Sequence, residues 1–368
     1  MKLLICFGTR PEAIKMAPVC LELTKQNIPF KLCVTAQHRE MLDQVLDFFD
    51  LIPDYDLNVM QPNQNLNTLS SRILLEMDTI LEKEAFKMVL VHGDTTTSSL
   101  VALAAFHRHI KVAHVEAGLR TYNKQSPFPE ELNRQLTGRI SEYHFAPTKQ
   151  AKTNLLQEGV NTHAVVVTGN TVIDALNITL EKIKHGYNNS FIEKLKRTIN
   201  FNNNVILVTG HRRESFGEGF ENVCNALLEL ANTKDIEIVY PVHLNPHVQK
   251  TVFNRLSGVS NIHLIAPLDY PSFVWLMSQS NLIISDSGGI QEEAPSLNIP
   301  VLVTRATTER FEGVKAQCSF LVGTETKKII ATAKQIMGKE RTSKLSNPYG
   351  NGDAAVKIVD FIKNNLID

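Results

Sequence analysis

Leu3-Leu4-Ile5-Cys6-Phe7-Gly8-Thr9-Arg10-Pro11-Glu12-Ala13-Ile14-Lys15 is the stretch that decides the fold. Its unbroken apolar run suits a strand buried on both faces, as in a parallel sheet covered by helices. Gly8 allows a tight turn, and Pro11 fits the first turn of a helix, where its missing N–H has no partner to lose. Outward from this strand–turn–helix unit the same alternation recurs almost to the end of the chain. Strands are expected at 3–7, 31–35, 88–92, 112–115, 165–168, 205–209, 236–242, 263–266, 282–285 and 301–304. Between them, Met41-Leu42, Val45-Leu46 and Phe48-Phe49 recur at helical spacing. The class is therefore α/β, built from βαβ units in parallel sheets. Pro18 is expected to kink the first helix or divide 12–25 into two short ones.

The 368 residues are too many for one ordinary core and imply about two domains. Lys+Arg and Asp+Glu both number 38, and that balance argues against a nucleic-acid partner. The N-terminus lacks the pattern of a signal peptide, and no apolar run approaches the roughly 18 residues that span a bilayer, so no membrane role is expected. The five cysteines, Cys6, Cys20, Cys33, Cys224 and Cys318, have no zinc or redox spacing and read as core residues of a reducing, cytoplasmic compartment. A domain boundary falls in 169–190, drawn at 170/171, ahead of the polar segments around Asn188-Asn189 and Asn202-Asn203-Asn204. A last helix near 353–365 follows the turn-rich Asn347-Pro348-Tyr349-Gly350-Asn351-Gly352.

Ligands of open parallel sheets bind beyond the carboxyl ends of the strands. After the first strand, Arg10 and Lys15 bring two cations to a helix start, an anion site or a turn with solvated charges. No dinucleotide fingerprint or nucleotide P-loop follows any strand, which disfavours a nicotinamide enzyme. Asp94, after His92-Gly93, and Glu116, after His114-Val115, end two consecutive strands; Asp94 alone also reads as a helix cap. Glu130-Glu131 opens a further helix, where acids also complement the dipole. In the second half, Thr209-Gly210-His211-Arg212-Arg213 suits a pyrophosphate. Ser287, Gly288 and Gly289 let backbone N–H groups approach a phosphate, and Glu293 stands where ribose hydroxyls would lie. His92, Asp94, His114, Glu116, His211 and His243 contain ligands enough for a metal pair, but the cations compete for the same place, and no metal or other cofactor is expected.

Taken together, residues 8–15, Gln37-His38-Arg39-Glu40-Met41-Leu42, residues 92–95, 114–120, 129–131, 211–214 and 285–295 resemble the bacterial non-hydrolysing UDP-N-acetylglucosamine 2-epimerases. The resemblance covers essentially the whole chain. It implies the GT-B architecture: two Rossmann-like domains flanking a central cleft, 1–170 and a UDP-binding 171–352, with a C-terminal helix, about 353–368, returning to the first. It also implies a homodimer that interconverts UDP-GlcNAc and UDP-ManNAc without NAD or metal, supplying N-acetylmannosamine for bacterial surface polysaccharide. By this resemblance Asp94, Glu116, Glu130 and His211 are catalytic, while Arg10, Lys15, Phe273, Ser287, Gly288, Gly289, Glu293 and Arg310 hold UDP. Gln37, Arg72, Arg212 and His243 match a second UDP-GlcNAc site that activates some relatives, although Glu40 stands where certain of them have Gln. Ala306, Phe311 and Gly313 replace the family's more usual Asp, Pro and Ala. The alternatives are a hydrolysing 2-epimerase, a GT-B glycosyltransferase sharing the nucleotide site, and a non-catalytic UDP-sugar binder.

Such chemistry explains the residue types. The hydrogen on C2 of an N-acetylhexosamine is barely acidic until the C1–O bond to UDP weakens. Departure of UDP gives C1 oxocarbenium character, a carboxylate removes the C2 proton, and 2-acetamidoglucal results. Return of UDP with protonation from the opposite face inverts C2, which requires carboxylates on both sides of the sugar.

Overall fold

The computed structural model describes residues 2–36, 39–61, 64–210, 212, 216–338 and 345–366. The chain divides into two units, Met1–Asn177 with Tyr349–Asp368, and Ile178–Pro348.

The first unit holds β1 (Leu3–Phe7), β2 (Phe30–Val34), β3 (Tyr55–Asp56), β4 (Met88–His92), β5 (Lys111–Val115), β6 (Tyr143–Ala146) and β7 (Val165–Val167). They form one parallel sheet in the order β3-β2-β1-β4-β5-β6-β7. Parallel pairing demands crossovers, supplied by α1 (Arg10–Lys25), α2 (Arg39–Phe48), α3 (Leu66–Lys83), α4 (Thr96–His107), α5 (Glu130–Ile140) and α6 (Lys149–Gln157). Every residue of β1 and β4 is buried, which is why these strands lack polar alternation. From β1 the chain fills the sheet toward β3, then resumes on the other side at β4. The loops after β1 and β4 therefore open on a topological switch point.

The helix α7 (Thr171–Lys184) carries the chain into the second unit, which begins within it. There β8 (Asn204–Thr209), β9 (Ile236–Pro241), β10 (Ile262–Ile265), β11 (Leu282–Ser285), β12 (Val301–Val303) and β13 (Ser319–Leu321) form a parallel sheet in the order β10-β9-β8-β11-β12-β13. Its helices are α8 (Ser190–Thr198), α9 (Glu218–Ala231), α10 (Pro246–Leu256), α11 (Tyr270–Ser278), α12 (Gly288–Glu293), α13 (Phe311–Lys315) and α14 (Thr326–Met337). Leu227, Ile238, Tyr240, Ile284, Leu302 and Ile329 share one core. The switch point here lies between β8 and β11.

The last helix, α15 (Ala354–Leu366), belongs with the first unit. Phe361 meets Tyr143 and Phe145 of β6 edge-on, at centroid distances of 5.3 and 5.6 Å. Asp174 of α7 accepts from the N–H groups of Ala354 and Ala355 at 3.3 and 2.9 Å, satisfying donors that α15 leaves open. These bonds, with Asn170 N–H to Tyr349 O at 2.7 Å, explain why the division falls at 177/178 and 348/349. The expected cuts at 170/171 and 352/353 separate groups that pack together.

Every expected strand position carries a strand, but β3, β6 and β13 escaped the sequence reading. Two are short edge strands, and in β6 the polar His144 interrupts the apolar run. Pro18 neither divides nor ends α1, which runs unbroken from Arg10 to Lys25. Residues 12–20 of that helix are all buried, and packing on every side outweighs the roughly 3 kcal/mol that an interior proline costs. The five cysteines are buried and unbridged. Among the described residues, no helix is long and apolar enough to cross a membrane.

Candidate active site

The turn after β1 has no room for a side chain at its glycine. A Cβ at Gly8 would lie 2.0 Å from Thr35 Oγ1, itself bonded to Thr97 Oγ1 at 2.8 Å. Glu12, buried one turn into α1, accepts from the N–H groups of Gly8 and Thr9 at 3.0 and 2.8 Å through Oε2. Its Oε1 accepts from Thr95 Oγ1 at 2.6 Å. Glu12 thus ties the β1–α1 turn to the β4–α4 turn, and burial raises its carboxyl pKa against the pull of these donors. Half-buried Arg10 begins the helix beside this knot.

Glu116, just beyond β5, has a left-handed backbone with φ of 63°, a conformation that typically costs about 1 kcal/mol in a non-glycine residue. Its Oε2 forms an ion pair with Lys15 and accepts from Asn170 Nδ2 at 2.7 Å. His92 Nε2 stands 3.7 Å from the same oxygen, and both ring nitrogens of His92 are buried without a hydrogen-bond partner. Burial works to raise the Glu116 pKa, but Lys15 and His92 hold it well below the usual carboxylate range. This is a carboxylate kept ionised in a buried place.

His114 of β5 donates from Nε2 to the Gly93 carbonyl at 2.7 Å, while Gly93 N–H donates to Val115 O at 2.9 Å. Burial pushes the His114 ring down to about 3, so it is neutral and serves as a peg for the Gly93 turn. Asp94 follows that turn. Its Oδ2 accepts from Arg134 Nε and Nη2 at 2.9 and 2.6 Å, and its carbonyl accepts from Asn133 Nδ2 at 2.9 Å. Asp94 is not the cap of α4: Thr95 caps it, accepting from Ser98 N–H at 3.1 Å. The aspartate is committed to Arg134 instead.

The adjacent acids Glu130 and Glu131 behave oppositely. Glu131 is 0% exposed and accepts from Thr121 N–H, Tyr122 N–H, Gln135 Nε2 and Arg134 Nη1 at 2.9 to 3.3 Å. Although burial opposes it, these donors, led by Thr121 N–H, lower its carboxyl pKa. Glu130 is half-buried, and its Oε2 is buried without a hydrogen-bond partner. Such an oxygen is costly unless another group comes to it.

In the second unit, Thr209 Oγ1 and Ser285 Oγ lie 2.7 Å apart across the β8–β11 pair. Ser285 Oγ accepts from Ser287 N–H at 2.9 Å, and Asp286 Oδ2 accepts from Arg212 N–H at 2.8 Å. A Cβ at Gly288 would lie 2.4 Å from Arg310 Cζ. Arg310 donates from Nε to Glu292 Oε1 at 2.9 Å and pairs with Glu309, which also accepts from Arg305 Nη1 at 2.9 Å. Though burial opposes it, the two guanidiniums bring the Glu309 carboxyl down to about 2. Tyr270 Oη donates to Glu293 Oε1 at 2.9 Å, and Asp269 caps α11, the helix that carries Phe273. Beneath these loops, Val208, Phe220, Tyr240 and Ile284 line a small apolar pocket with Thr209, Gly210 and Asp286 at its polar side.

The first unit thus holds Arg10, Lys15, Asp94, Glu116 and Glu130, while the second holds Phe273, Ser287, Gly288, Gly289, Glu293 and Arg310. Arg72 of α3 donates from Nη1 to Val59 O at 2.9 Å. Arg212 follows β8, and exposed His243 accepts from Asn245 N–H at 3.1 Å through Nδ1. Gln37 and His211 lie outside the described residues. Asn170 and Arg134, the direct partners of Glu116 and Asp94, escaped the sequence reading. The one signal was position: Asn170 sits in the polar loop after β7, where ligand-facing residues of parallel sheets gather.

The sequence profile of the UDP-N-acetylglucosamine 2-epimerase family matches residues 21–363. The UDP-N-acetylglucosamine 2-epimerase of Neisseria meningitidis serogroup A is 53% identical over 371 residues, covering 99% of this chain and 100% of the relative. That of Escherichia coli K12 is 51% identical, with full coverage of both chains at 100%. Among solved structures, the Neisseria meningitidis UDP-GlcNAc 2-epimerase bound to UDP-GlcNAc superposes with a TM-score of 0.93 at 52% identity, covering 99% of this chain and 100% of that one. The Methanocaldococcus jannaschii UDP-GlcNAc 2-epimerase in complex with UDP-GlcNAc and UDP gives 0.85 at 35% identity, with 99% and 100% covered.

Proposed function

Because this chain belongs to the UDP-N-acetylglucosamine 2-epimerase family, an isomerase family of GT-B-type fold, we propose that it interconverts UDP-GlcNAc and UDP-ManNAc without releasing free sugar. The observation that carries this reading is the state of its carboxylates: Glu116 ionised beside Lys15, Asp94 oriented by Arg134, and Glu130 with an oxygen left unpartnered. Three acids in three environments suit a reaction that takes a proton from one face of a carbon and returns one to the other.

In the proposed reaction the C1–O bond breaks and its electron pair leaves with UDP. One carboxylate takes the C2 proton, and the C–H pair becomes the C1=C2 bond of 2-acetamidoglucal. A second acid then protonates C2 from the opposite face while a UDP oxygen re-forms the bond to C1. Glu116, Asp94 and Glu130 share the proton transfers and the stabilisation of positive charge at C1. Arg10, His211 and the Ser287–Gly288–Gly289 turn bear the charge that grows on the diphosphate, each such contact being typically worth on the order of 3 kcal/mol of barrier. Arg310, Phe273 and Glu293 hold the nucleotide. Lys15 acts chiefly through Glu116, to which it is bound. Gln37, Arg72, Arg212 and His243 form a second, activating UDP-GlcNAc site. The enzyme works as a cytoplasmic homodimer, without cofactor, and its product supplies N-acetylmannosamine for surface polysaccharide.

The test is incubation with UDP-GlcNAc in heavy water, without NAD or added metal. Deuterium at C2 of both recovered UDP-sugars is the expected result. Free N-acetylmannosamine with UDP points to the hydrolysing reaction, consumption only with an added acceptor points to a glycosyltransferase, and either overturns the proposal.

A further inference from the structure

Glu116 Oε2 carries two donors far apart in sequence, Lys15 Nζ from α1 and Asn170 Nδ2 from the loop after β7. His92 of β4 is the third polar group facing it. Among the described residues, no hydrogen bond reaches the other oxygen, Oε1. An amide donor fixed on one carboxylate oxygen sets the plane of the group and directs the second oxygen outward.

Asn170 is itself held. Its Oδ1 accepts from Val172 N–H at 3.0 Å, closing a turn that starts α7, and its own N–H donates to Tyr349 O at 2.7 Å. At that contact the backbones are too close for side chains: a Cβ at Gly169 would lie 3.1 Å from Tyr349 O, and one at Gly350 would lie 3.2 Å from Gly169 Cα. Gly169 and Gly350 have φ of 90° and 128°, so glycine serves here for conformation as well as space. The chain thus returns after Pro348 to brace the residue that orients Glu116.

We propose that Asn170 is a positioning residue for Glu116 and that the returning Tyr349–Gly350 segment holds it in place. Asn170 fixes Oε2 and leaves Oε1 as the atom that exchanges the proton with the sugar. The assignment rests on the role given to Glu116 above. It places a requirement for catalysis in a segment of the C-terminal return.

Asn170→Asp is the discriminating variant, because Asp keeps the oxygen that accepts from Val172 N–H and replaces only the donor. Two carboxylates then face each other, and one of the pair is held protonated to higher pH. Deuterium incorporation at C2, measured in heavy water between pH 5.5 and 8, should acquire an acid limb absent from the parent protein. Asn170→Ala should lower kcat about 30-fold with KM for UDP-GlcNAc within about twofold, the signature of a misdirected group rather than lost binding. Gly350→Ala should lower kcat about fivefold with the same unchanged KM. Amide exchange of α15 reports whether each variant stays folded. If folded Asn170→Asp keeps the parent pH profile, or if folded Asn170→Ala keeps the parent kcat, the assignment is overturned. If the parent protein itself puts no deuterium at C2, the reading of the reaction fails instead.

Discussion

The carboxyl ends of the two sheets solve different electrostatic problems. In the first unit the loops after β4 and β5 gather carboxylates, and each is given its own company: Glu116 has Lys15 and Asn170, Asp94 has Arg134, Glu131 has four donors, and Glu130 keeps an oxygen unmatched. In the second unit the ends of β8 and β11 present hydroxyls, the turn after β11 glycines, and the loop after β12 the Arg310 guanidinium. Buried acids there serve arginine: Glu292 and Glu309 fix Arg310. The first arrangement suits moving protons at carbon and the second suits holding a diphosphate. The same strand–turn–helix geometry thus supports both, and side chains at a few loop positions decide which.

The most direct way to break this contrast is Glu116→Gln. The amide still accepts from Lys15 and Asn170, so the unit folds, but C2 exchange should fall about a thousandfold, roughly 4 kcal/mol. UDP affinity, read by calorimetry, should stay within about threefold. Equal loss of both would erase the division of labour.

A second test compares buried acids within the first unit. Burial raises Asp174 from 3.8 to about 6, opposite in direction to Glu116. The folded state therefore binds this proton more tightly than the unfolded chain, and the group costs stability as pH rises through that window. The difference between wild type and Asp174→Asn should change by on the order of 3 kcal/mol between pH 3.5 and 6.5, with the wild type losing ground. Amide exchange at Ala354 and Ala355 measures it, and a constant difference would refute it.

Neighbouring acids sharpen the comparison further. Glu131→Ala leaves Arg134 Nη1, Gln135 Nε2 and two backbone N–H groups without their acceptor and should cost about 3 kcal/mol of stability in denaturant unfolding. Glu130→Ala should cost under about 0.5 kcal/mol yet remove C2 exchange. In the second unit, Gly288→Ala forces a methyl against Arg310 and should weaken UDP binding about 30-fold, near 2 kcal/mol. Exchange at saturating substrate should persist. Unchanged UDP affinity would show that the turn does not hold the nucleotide.

Much of this was legible in residues 3–15 and their repeats. Strand–helix alternation and the acids beyond strands point to an α/β enzyme whose chemistry lies at loop positions. Other features were hidden for identifiable reasons. A local rule breaks the helix at Pro18, yet a fully packed neighbourhood keeps it whole. Asp94 looks like a helix cap because capping needs only local sequence, whereas Arg134 reaches it from 40 residues away. Asn170 carries no charge and belongs to no short motif, so its bond to Glu116 is invisible until β5 and β7 lie in one sheet.

By itself the sequence determined where backbone alternates between strand and helix and which residue types stand at each turn, because periodicity and turn chemistry are local properties of the chain. The tertiary structure alone decided which carboxylate is ionised, which is locked and which is left unmatched. Those states depend on donors and cations brought from distant segments, and on burial, which exists only once the sheets and their helices have packed.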